Sequence, residues 1–384
     1  MNKNSLVIII DPGFDQYKIT INEKVIAFPS TMVKVDNGHS GLALVKGNFY
    51  FYPDNGDTYL FGQGAWDELL GYDSAEANNS LLESNMDIKR FQSGFFKYSL
   101  EAALAYALYQ FEHSAEGQAI NFQIKDLDNY KIYFGVALPH DVLQEAAPHI
   151  NAFLRTRHNF QYRVAGEMSE KEDFTFDLSN AKLFVNSQAI CAFLFEALND
   201  DATDNEEVER LLPALIIDAG QKTLGIFLLN KNHHIYSAES NMEYAMFNIY
   251  ERVAARINEE LPGCEFKPYQ VREYMKDNMP VNFNKKSVYI DPIYKEEFDH
   301  VCAELCDTLT RTRSQQLNSC RSVFIAGGTG AAYYKPLKSF MNENFPYAKV
   351  ILTNKTSQGT EIEPIFAVVL GMRKYVLGRI AMEE

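Results

Sequence analysis

A short run of consecutive apolar residues, 6–10, opens the chain and ends at the triplet 11–13, Asp-Pro-Gly. Continuous β-branched residues of this length are typical of a strand that is buried on both faces. Asp, Pro and Gly dominate tight turns, so the chain is expected to reverse at this triplet. Residues 17–22 then alternate between apolar and polar side chains, and residues 25–28 follow as a further apolar piece. The pattern predicts a strand, a tight turn and a returning strand, which together begin a β-hairpin.

The same pattern returns at the start of the second half of the chain. Residues 215–217 are apolar, the triplet 218–220 (Asp-Ala-Gly) interrupts them, and residues 224–229 are expected to form the next strand. A single Asp-x-Gly is most often a plain turn, but repetition of a whole supersecondary unit is more informative than either copy. The repeat therefore predicts a duplicated α/β architecture.

The remaining periodicity predicts further helices and strands around these two copies. Apolar residues at helical spacing predict helices at 95–111, 148–157, 189–198, 242–261, 268–277, 292–317, 335–345 and 364–382. Apolar runs of strand length predict core strands at 131–138, 182–186 and 322–326. Residues 29 to about 94, above all the Gly-, Asn-, Asp- and Tyr-rich part 29–71, predict a small inserted subdomain, and the acidic stretch 199–207 predicts a surface loop.

The two Asp-x-Gly turns have the chemistry expected of a polyphosphate site. Gly13 and Gly220 lack a Cβ, so the backbone N–H groups of each turn can come close to an anion. The carboxylates of Asp11 and Asp218 would repel phosphate directly, but they can hold a hydrated Mg²⁺ that bridges phosphate oxygens. Two such turns facing each other would clamp a polyphosphate between two lobes.

Two further features support a nucleotide site. Lys18 follows the first turn on the returning strand, from which it can supply a positive point charge to phosphate. The stretch 327–330, Gly-Gly-Thr-Gly, follows an apolar strand and precedes a helix, where backbone can pass close to a nucleotide. A glycine cluster between strand and helix is often only a tight connection, and it gains weight here from the two Asp-x-Gly turns.

Composition and charge narrow the possible functions. The chain has 384 residues, enough for two lobes with their own cores, and 46% of them are hydrophobic. The formal net charge of −15 repels phosphate backbones, so direct DNA binding is not expected. Neither end of the chain has the composition expected of a signal peptide or a membrane anchor.

The cysteines predict a reducing environment. Five cysteines at scattered positions form no disulfide framework and favour a cytoplasmic location. Cys302 and Cys306, with His300 beside them, could suggest a metal site. Because the two cysteines are one helical turn apart, a small apolar stripe on a helix is the better explanation.

Three segments together resemble loops of the actin, sugar-kinase and heat-shock-chaperone ATPase superfamily. Residues 8–18 look like its first phosphate loop, residues 216–223 like the second, and residues 323–330 like the adenosine loop. Their order and separation match over nearly the whole chain. The resemblance implies an α/β, two-lobed actin/ribonuclease-H-like fold, with duplicated mixed-sheet domains and an interlobe nucleotide cleft. It places the first lobe at residues 1–188 plus 364–384 and the second at residues 189–363.

The resemblance also implies roles for individual residues. Gln188 falls where the superfamily places the Gln or Glu that orients the attacking water, so Gln188, Asp11 and Asp218 are expected to be catalytic. The two aspartates are expected to hold Mg²⁺ through water. Residues 367–371 resemble a second connecting helix, with small residues at the interlobe hinge. The residues expected to bind ATP, or GTP, are Gly13, Phe14, Lys18, Gly220, Thr223, Gly327, Gly328 and Thr329.

Within the superfamily the chain resembles the ParM-like plasmid-segregation proteins. Segments 59–65 and 132–139 are similar to stretches common in those proteins, and the compact insertion suits them. The length leaves no room for a chaperone's peptide-binding domain, and the membrane helix of the bacterial cell-division relative is absent. A ParM-like protein is expected to be a cytoplasmic ATPase that forms head-to-tail filaments and segregates plasmid or phage DNA. Its expected partners are further copies of itself and a DNA-binding adaptor of the ParR type.

Two alternatives remain open. A small-molecule kinase on the same fold would transfer phosphate to an acceptor and form no polymer. A non-catalytic scaffold would bind nucleotide without turnover, and Phe14 favours it, because actins usually place Ser or Thr there to meet the terminal phosphate. The second loop also departs from the superfamily pattern at Gln221 and Lys222, and Lys222 is expected to be solvated rather than to reach phosphate.

Overall fold

The computed structural model describes residues 5–35, 45–71, 88–168 and 170–383. Its core consists of buried strands that are covered by helices. Backbone contacts divide the chain into two units. The first unit comprises Met1–Cys191 and Val369–Glu384, and the second comprises Ala192–Val368. Both boundaries fall inside helices, Gln188–Ala197 and Ala367–Ala381. A five-stranded mixed sheet lies at the centre of each unit.

The first apolar run of the sequence is the central strand of the first unit. Strands β1 (Ser5–Pro12), β2 (Gln16–Ile21) and β3 (Lys24–Pro29) form an antiparallel meander. Strands β7 (Lys131–Leu138) and β10 (Lys182–Ser187) add in parallel on the other side of β1, which gives the order β10-β7-β1-β2-β3. Every residue of β1 is buried, as its continuous apolar sequence predicts.

The second unit repeats this arrangement strand for strand. Strands β11 (Ala214–Ala219), β12 (Leu224–Leu229) and β13 (Ile235–Asn241) form the antiparallel meander. Strands β16 (Ser322–Ala326) and β17 (Lys349–Leu352) add in parallel, which gives the order β13-β12-β11-β16-β17. The predicted duplication is therefore confirmed, and it extends from one hairpin to the whole sheet.

A further sheet of the first unit is entirely antiparallel and has the order β4-β6-β5-β8-β9. Its strands are β4 (Met32–Lys34), β5 (Phe49–Tyr52), β6 (Tyr59–Phe61), β8 (Arg157–Val164) and β9 (Glu172–Asp177). The first three lie in the predicted insertion, whereas the last two come from residues for which no strand was predicted. Aromatic side chains hold β5, β8 and β9 together, for example Phe160 on Phe174 with ring centroids 5.0 Å apart. The insertion is therefore completed by a hairpin that lies much later in the sequence.

The helices agree with most predicted segments apart from their ends. The α-helices are Gln63–Gly71, Gly94–Glu112, Ala115–Ala119, Leu143–Leu154, Gln188–Ala197, Glu206–Glu209, Met246–Glu260, Pro268–Lys276, Ile290–Ser319, Gly330–Asn344 and Ala367–Ala381. A hairpin of β14 (Pro280–Phe283) and β15 (Lys286–Tyr289) precedes the longest of them.

Some predicted helix ends are wrong. The helix predicted at 148–157 begins at Leu143 with Pro148 in its interior, and it ends at Leu154 because Arg157 already belongs to β8. The helix predicted from residue 335 begins at Gly330, directly after the glycine cluster. At residue 364 the chain first forms a short 3-10 turn, since the α-helix begins only at Ala367. Proline is common in the first turn of a helix, so a proline in the interior of a helix can be mistaken for the helix start.

The cysteine stripe is apolar, as predicted. Cys302 belongs to the hydrophobic core of the second unit, and Cys306 packs against that core. Burial raises the pKa of the Cys302 thiol to about 12 and that of Cys306 to about 11, so both stay protonated at neutral pH. Of the helices within the described ranges, none is long and apolar enough to cross a membrane.

Ser93 fixes the start of the long buried helix Gly94–Glu112. Its Oγ accepts a hydrogen bond from Phe96 N at 3.1 Å and donates one to Arg90 O at 2.7 Å. We expect Ser93→Ala to lower the free energy of unfolding by about 1 kcal/mol, because an N-cap hydrogen bond is lost. Urea denaturation measures this, with Ser319→Ala at an exposed helix end as the control expected to change stability by less than about 0.5 kcal/mol. Equal stability of the two variants would contradict the capping role.

Candidate functional site

The first Asp-x-Gly turn lies where three parallel strands end. Strands β1, β7 and β10 run in one direction, so their carboxyl ends share an edge of the sheet, the usual ligand position in open α/β sheets. Asp11 is only 3% exposed there, and the antiparallel register pairs it with Lys18. Lys18 Nζ lies 3.3 Å from Asp11 Oδ2. The hairpin itself therefore brings the ammonium to the carboxylate.

Gln188 reaches the same carboxylate from β10. It is the first residue of helix Gln188–Ala197, directly after Ser187, the last residue of β10. Its Nε2 donates a 2.5 Å hydrogen bond to Asp11 Oδ1. Asp11 thus contacts Lys18 through one oxygen and Gln188 through the other. The bond also fixes the plane of the amide, whose Oε1 is an acceptor.

A histidine that the sequence analysis did not single out lies at this edge. His140 follows β7, and its Nδ1 is 3.3 Å from Ser187 Oγ. Burial lowers the pKa of His140, while the nearby Asp141 carboxylate works in the opposite direction. The imidazole is therefore neutral at pH 7 and offers hydrogen bonding, not charge, next to the start of the Gln188 helix.

The backbone of the first turn leaves no room for a side chain at Gly13. A Cβ at this position would lie 2.5 Å from Gln16 O and 2.7 Å from Lys18 Nζ. The Gly13 N–H donates to Asp11 O at 3.0 Å, which closes the turn. The turn keeps this shape only with glycine, in agreement with the chemistry inferred from the sequence.

Arg90, which the sequence analysis missed, lies against the first turn from inside the unit. Its Nη2 donates to Pro12 O at 2.8 Å and to Gly13 O at 3.0 Å. The guanidinium carbon lies 4.1 Å from the centroid of the Phe14 ring. The Phe14 ring thus supports a buried arginine beside the first turn.

The second Asp-x-Gly turn closes β11 in the second unit. Gly220 N donates to Thr223 O at 2.9 Å, and a Cβ on Gly220 would lie 2.8 Å from the same oxygen. The Phe247 N–H donates to Gln221 O at 2.8 Å, which ties the turn to helix Met246–Glu260. Lys222 Nζ lies 5.9 Å from the centroid of the Phe247 ring, and that this ammonium is solvated rather than bound to phosphate stays a prediction.

The glycine cluster after β16 packs directly on this second turn, because β11 and β16 are parallel neighbours. Gly327 has a φ of 88°, and a Cβ there would overlap Ala219 O and lie 2.7 Å from Asp218 Oδ1. Thr329 holds the two loops together, since its N and Oγ1 donate to Ala219 O at 3.1 and 2.9 Å. A Cβ at Gly328 would make only ordinary contact, 3.6 Å from Ile365. The close approach therefore depends on Gly327.

The residues predicted from the sequence thus form two groups. Asp11, Gly13, Phe14, Lys18 and Gln188 lie together in the first unit, and Asp218, Gly220, Thr223, Gly327, Gly328 and Thr329 lie together in the second. Their individual roles, and the expectation that both groups serve one nucleotide, stay predictions.

Both groups fit a magnesium nucleotide. A Cβ built at Gly13 or at Gly327 would overlap neighbouring atoms. The backbone at these two positions can come close to its neighbours only because glycine has no Cβ. The carboxylates of Asp11 and of Asp218 are each hard oxygen ligands of the kind that suits Mg²⁺. In the described part of the chain, no group of three or more His, Cys, Asp or Glu side chains lies close enough together to hold a metal ion.

Comparisons with known proteins show which fold this geometry belongs to. A family model described as the C-terminal part of archaeal actin homologue MreB-like proteins matches residues 216–338, which include the second turn and the glycine cluster. A non-polymerisable quadruple mutant of pCBH ParM superposes with a TM-score of 0.67 at 18% identity, over 99% of this chain and 100% of its own. The chain has the actin-like fold. A search of curated proteins finds no match to the sequence.

Two further actin-like structures agree with this assignment. A ParM from a 15-stranded filament of Clostridium botulinum superposes with a TM-score of 0.67 at 17% identity, over 97% of this chain and 99% of that one. The archaeal actin homologue Ta0583 in complex with ADP gives 0.65 at 16% identity, over 99% of this chain and 100% of that one. At these identities the likeness shows the fold alone. The predicted actin/ribonuclease-H-like class and the resemblance to the actin-like superfamily, with ParM proteins among the structural neighbours, are confirmed.

Proposed function

We propose that this actin-like chain is a nucleotide-dependent ATPase that assembles into filaments, with ATP or GTP and Mg²⁺ as its ligands. The observation that carries the proposal is the contact of Gln188 and Lys18 with the two oxygens of Asp11. A carboxylate for the metal, a cation for phosphate and an amide for water are the groups that phosphoryl transfer to water requires. The ADP complex of an archaeal homologue with the same fold supports nucleotide binding.

The first unit supplies the hydrolytic groups in this proposal. Asp11 would hold Mg²⁺ through its hydration shell, and the metal would offset the charge of the phosphates. Lys18 contacts phosphate oxygens directly as a point charge. Gln188, tethered by Nε2 to Asp11, accepts a hydrogen bond from the attacking water at Oε1 and so orients it.

The second unit supplies a second turn and the nucleoside loop. We propose that Asp218 contributes to the same metal site and that the N–H groups around Gly220 contact phosphate. The backbone at Gly327 and Gly328 then passes beneath the sugar of the nucleotide. The bonds from Thr329 to Ala219 O make the turn and this loop one piece, so a change in one is transmitted to the other.

Filament formation and DNA segregation complete the proposal. Structural neighbours include a ParM taken from a filament, which supports head-to-tail assembly of this chain with copies of itself. A net charge of −15 opposes direct contact with DNA. We therefore propose that a DNA-binding adaptor of the ParR type links the filament to a plasmid or phage DNA in the cytoplasm.

Light scattering tests this proposal. We expect scattering to rise after ATP and Mg²⁺ are added, to stay at baseline without nucleotide, and to be abolished by EDTA because the metal is removed. Asp11→Ala should abolish the rise, while Asp173→Ala, at a solvent-exposed position of β9, should preserve it. Absence of assembly at every protein concentration would refute the filament. Assembly without phosphate release would favour the non-catalytic scaffold, and phosphate transfer to an acceptor without polymer would favour the kinase.

A further inference from the structure

Among the described residues, Arg90 is a buried charge with no carboxylate bonded to it. The residue is 3% exposed, and within the described ranges its Nε and Nη1 are buried without a hydrogen-bond partner. Burial lowers the pKa of Arg90, an effect that the nearby Tyr17 and Asp11 oppose. Burying an arginine in this way costs hydration, and none of its contacts with the described residues is an ion pair.

The contacts that Arg90 makes are with the backbone of the first phosphate turn. A single nitrogen, Nη2, donates to the carbonyl oxygens of Pro12 and Gly13, which belong to two consecutive peptide units. In a trans peptide unit the C=O and the N–H point in opposite directions. Fixing these two carbonyls toward Arg90 therefore directs the N–H groups of Gly13 and Phe14 away from it.

These two amides have different tasks. The Gly13 N–H closes the turn on Asp11 O at 3.0 Å. The Phe14 N–H belongs to the peptide unit whose carbonyl Arg90 holds at 3.0 Å, so its direction depends on Arg90. A backbone N–H in a tight turn of this kind is a group that an anion can contact.

Aromatic rings and a capped helix hold Arg90 in place. Its guanidinium lies 4.1 Å from the Phe14 centroid, 5.5 Å from Phe91 and 5.7 Å from Phe96. Arg90 O accepts the hydrogen bond from Ser93 Oγ, and Ser93 caps helix Gly94–Glu112. The planar, delocalised guanidinium suits such a ring cage, whereas the ammonium of lysine is a compact and strongly hydrated point charge.

We propose that Arg90 is a positioning residue that sets the first phosphate turn in its anion-binding orientation. The inference rests on the proposed nucleotide site. Arg90 acts through the backbone of residues 12–14 and does not touch the nucleotide. Its loss should therefore weaken recognition of the terminal phosphates and spare recognition of the nucleoside.

Arg90→Lys is the decisive variant, because it keeps the charge and removes the planar group. With fluorescent AMP and ADP analogues, we expect the dissociation constant for ADP to rise about tenfold or more while that for AMP changes less than about twofold. Hydrogen exchange of the peptide that spans residues 11–17 should become faster in the nucleotide-free protein, because the turn is no longer held.

Two further variants make the test specific. Phe14→Leu keeps Arg90 but removes the ring beneath it, so it should shift ADP affinity and hydrogen exchange in the same direction as Arg90→Lys. Arg313→Lys is the matched control, since within the described part of the chain Arg313 also has a buried Nε without a hydrogen-bond partner, but it binds Ser237 and Glu239 on β13. The control should leave the ratio of ADP to AMP affinity and the exchange of residues 11–17 unchanged.

The outcomes separate this inference from the proposed function. Unchanged exchange of residues 11–17 in both Arg90→Lys and Phe14→Leu overturns the positioning role, whatever the nucleotide result. Equal weakening of AMP and ADP overturns it as well, because only phosphate recognition should depend on the turn. If the unmodified protein binds neither nucleotide, the proposed function fails and the hydrogen-exchange result alone decides whether Arg90 holds the turn.

Discussion

Replacement of Gln188 by alanine is expected to slow phosphate release about a hundredfold, which corresponds to about 2.7 kcal/mol of transition-state stabilisation. The affinity for ATP should change less than about threefold, because Gln188 is proposed to contact the attacking water and not the nucleotide. In the structure its Nε2 is bonded to Asp11 Oδ1 at 2.5 Å, so the amide is held in one orientation. Single-turnover phosphate release and equilibrium titration with a fluorescent ATP analogue measure the two quantities separately.

The same substitution should lengthen the lifetime of the filament while it slows phosphate release. If hydrolysis weakens the filament, Gln188→Ala filaments should persist after ATP is added, whereas those of the unmodified protein disassemble as the nucleotide is consumed. Gln161→Ala is the matched control, since Gln161 is an exposed glutamine that bonds Asp173 in the antiparallel sheet of the first unit. Unchanged phosphate release in Gln188→Ala would remove this residue from the reaction and return attention to the scaffold alternative.

The core of each unit could be predicted because its signals are local in sequence. Continuous apolar runs specify β1 and β11 as buried central strands, and the Asp-x-Gly turn of each forces an antiparallel return. In the first hairpin this return places Lys18 opposite Asp11, so their contact follows from the register alone. The position of Gln188 came from a resemblance, and its bond to Asp11 depends on the parallel placement of β10, which no local pattern specifies.

The insertion was predicted only in part, because its pairing is not local. Strand β8 alternates, with His158, Phe160, Tyr162 and Val164 buried, so a strand signal is present in the sequence. Its partner is β5, which lies far earlier in the sequence. Neither segment contains a pattern that would indicate which strand it pairs with. A helix prediction that continued to residue 157 also obscured the start of β8.

Arg90 could not be found from the sequence for a different reason. It is one basic residue in a short 3-10 turn, and its role depends on two carbonyl groups far away in the chain. Every residue has a backbone carbonyl oxygen, so the amino-acid sequence does not show which of these oxygens accept a hydrogen bond from Arg90. The one neighbour that is local to the first turn is Phe14, whose ring centroid lies 4.1 Å from the Arg90 guanidinium carbon.

Gly327→Ala is expected to weaken ADP binding at least about tenfold and to lower the free energy of unfolding of the second unit by about 2 to 4 kcal/mol. Two effects add at this position. Its φ of 88° is unfavourable for alanine, and the new Cβ would overlap Ala219 O and lie 2.7 Å from Asp218 Oδ1. Both of these oxygen atoms belong to the second turn. The glycine cluster and that turn would therefore have to move apart to remove the steric overlap.

Gly359→Ala separates these two effects. Gly359 has a φ of 84°, nearly that of Gly327, but no atom of the described residues lies within 4 Å of a Cβ built there. It should therefore show only the backbone cost, about 1 kcal/mol, and bind ADP normally. Thermal unfolding and ADP titration of both variants give the comparison directly. If both lost stability equally and both kept full ADP affinity, the contact of Gly327 with the second turn would have no part in nucleotide binding, because the difference between the two glycines is that contact.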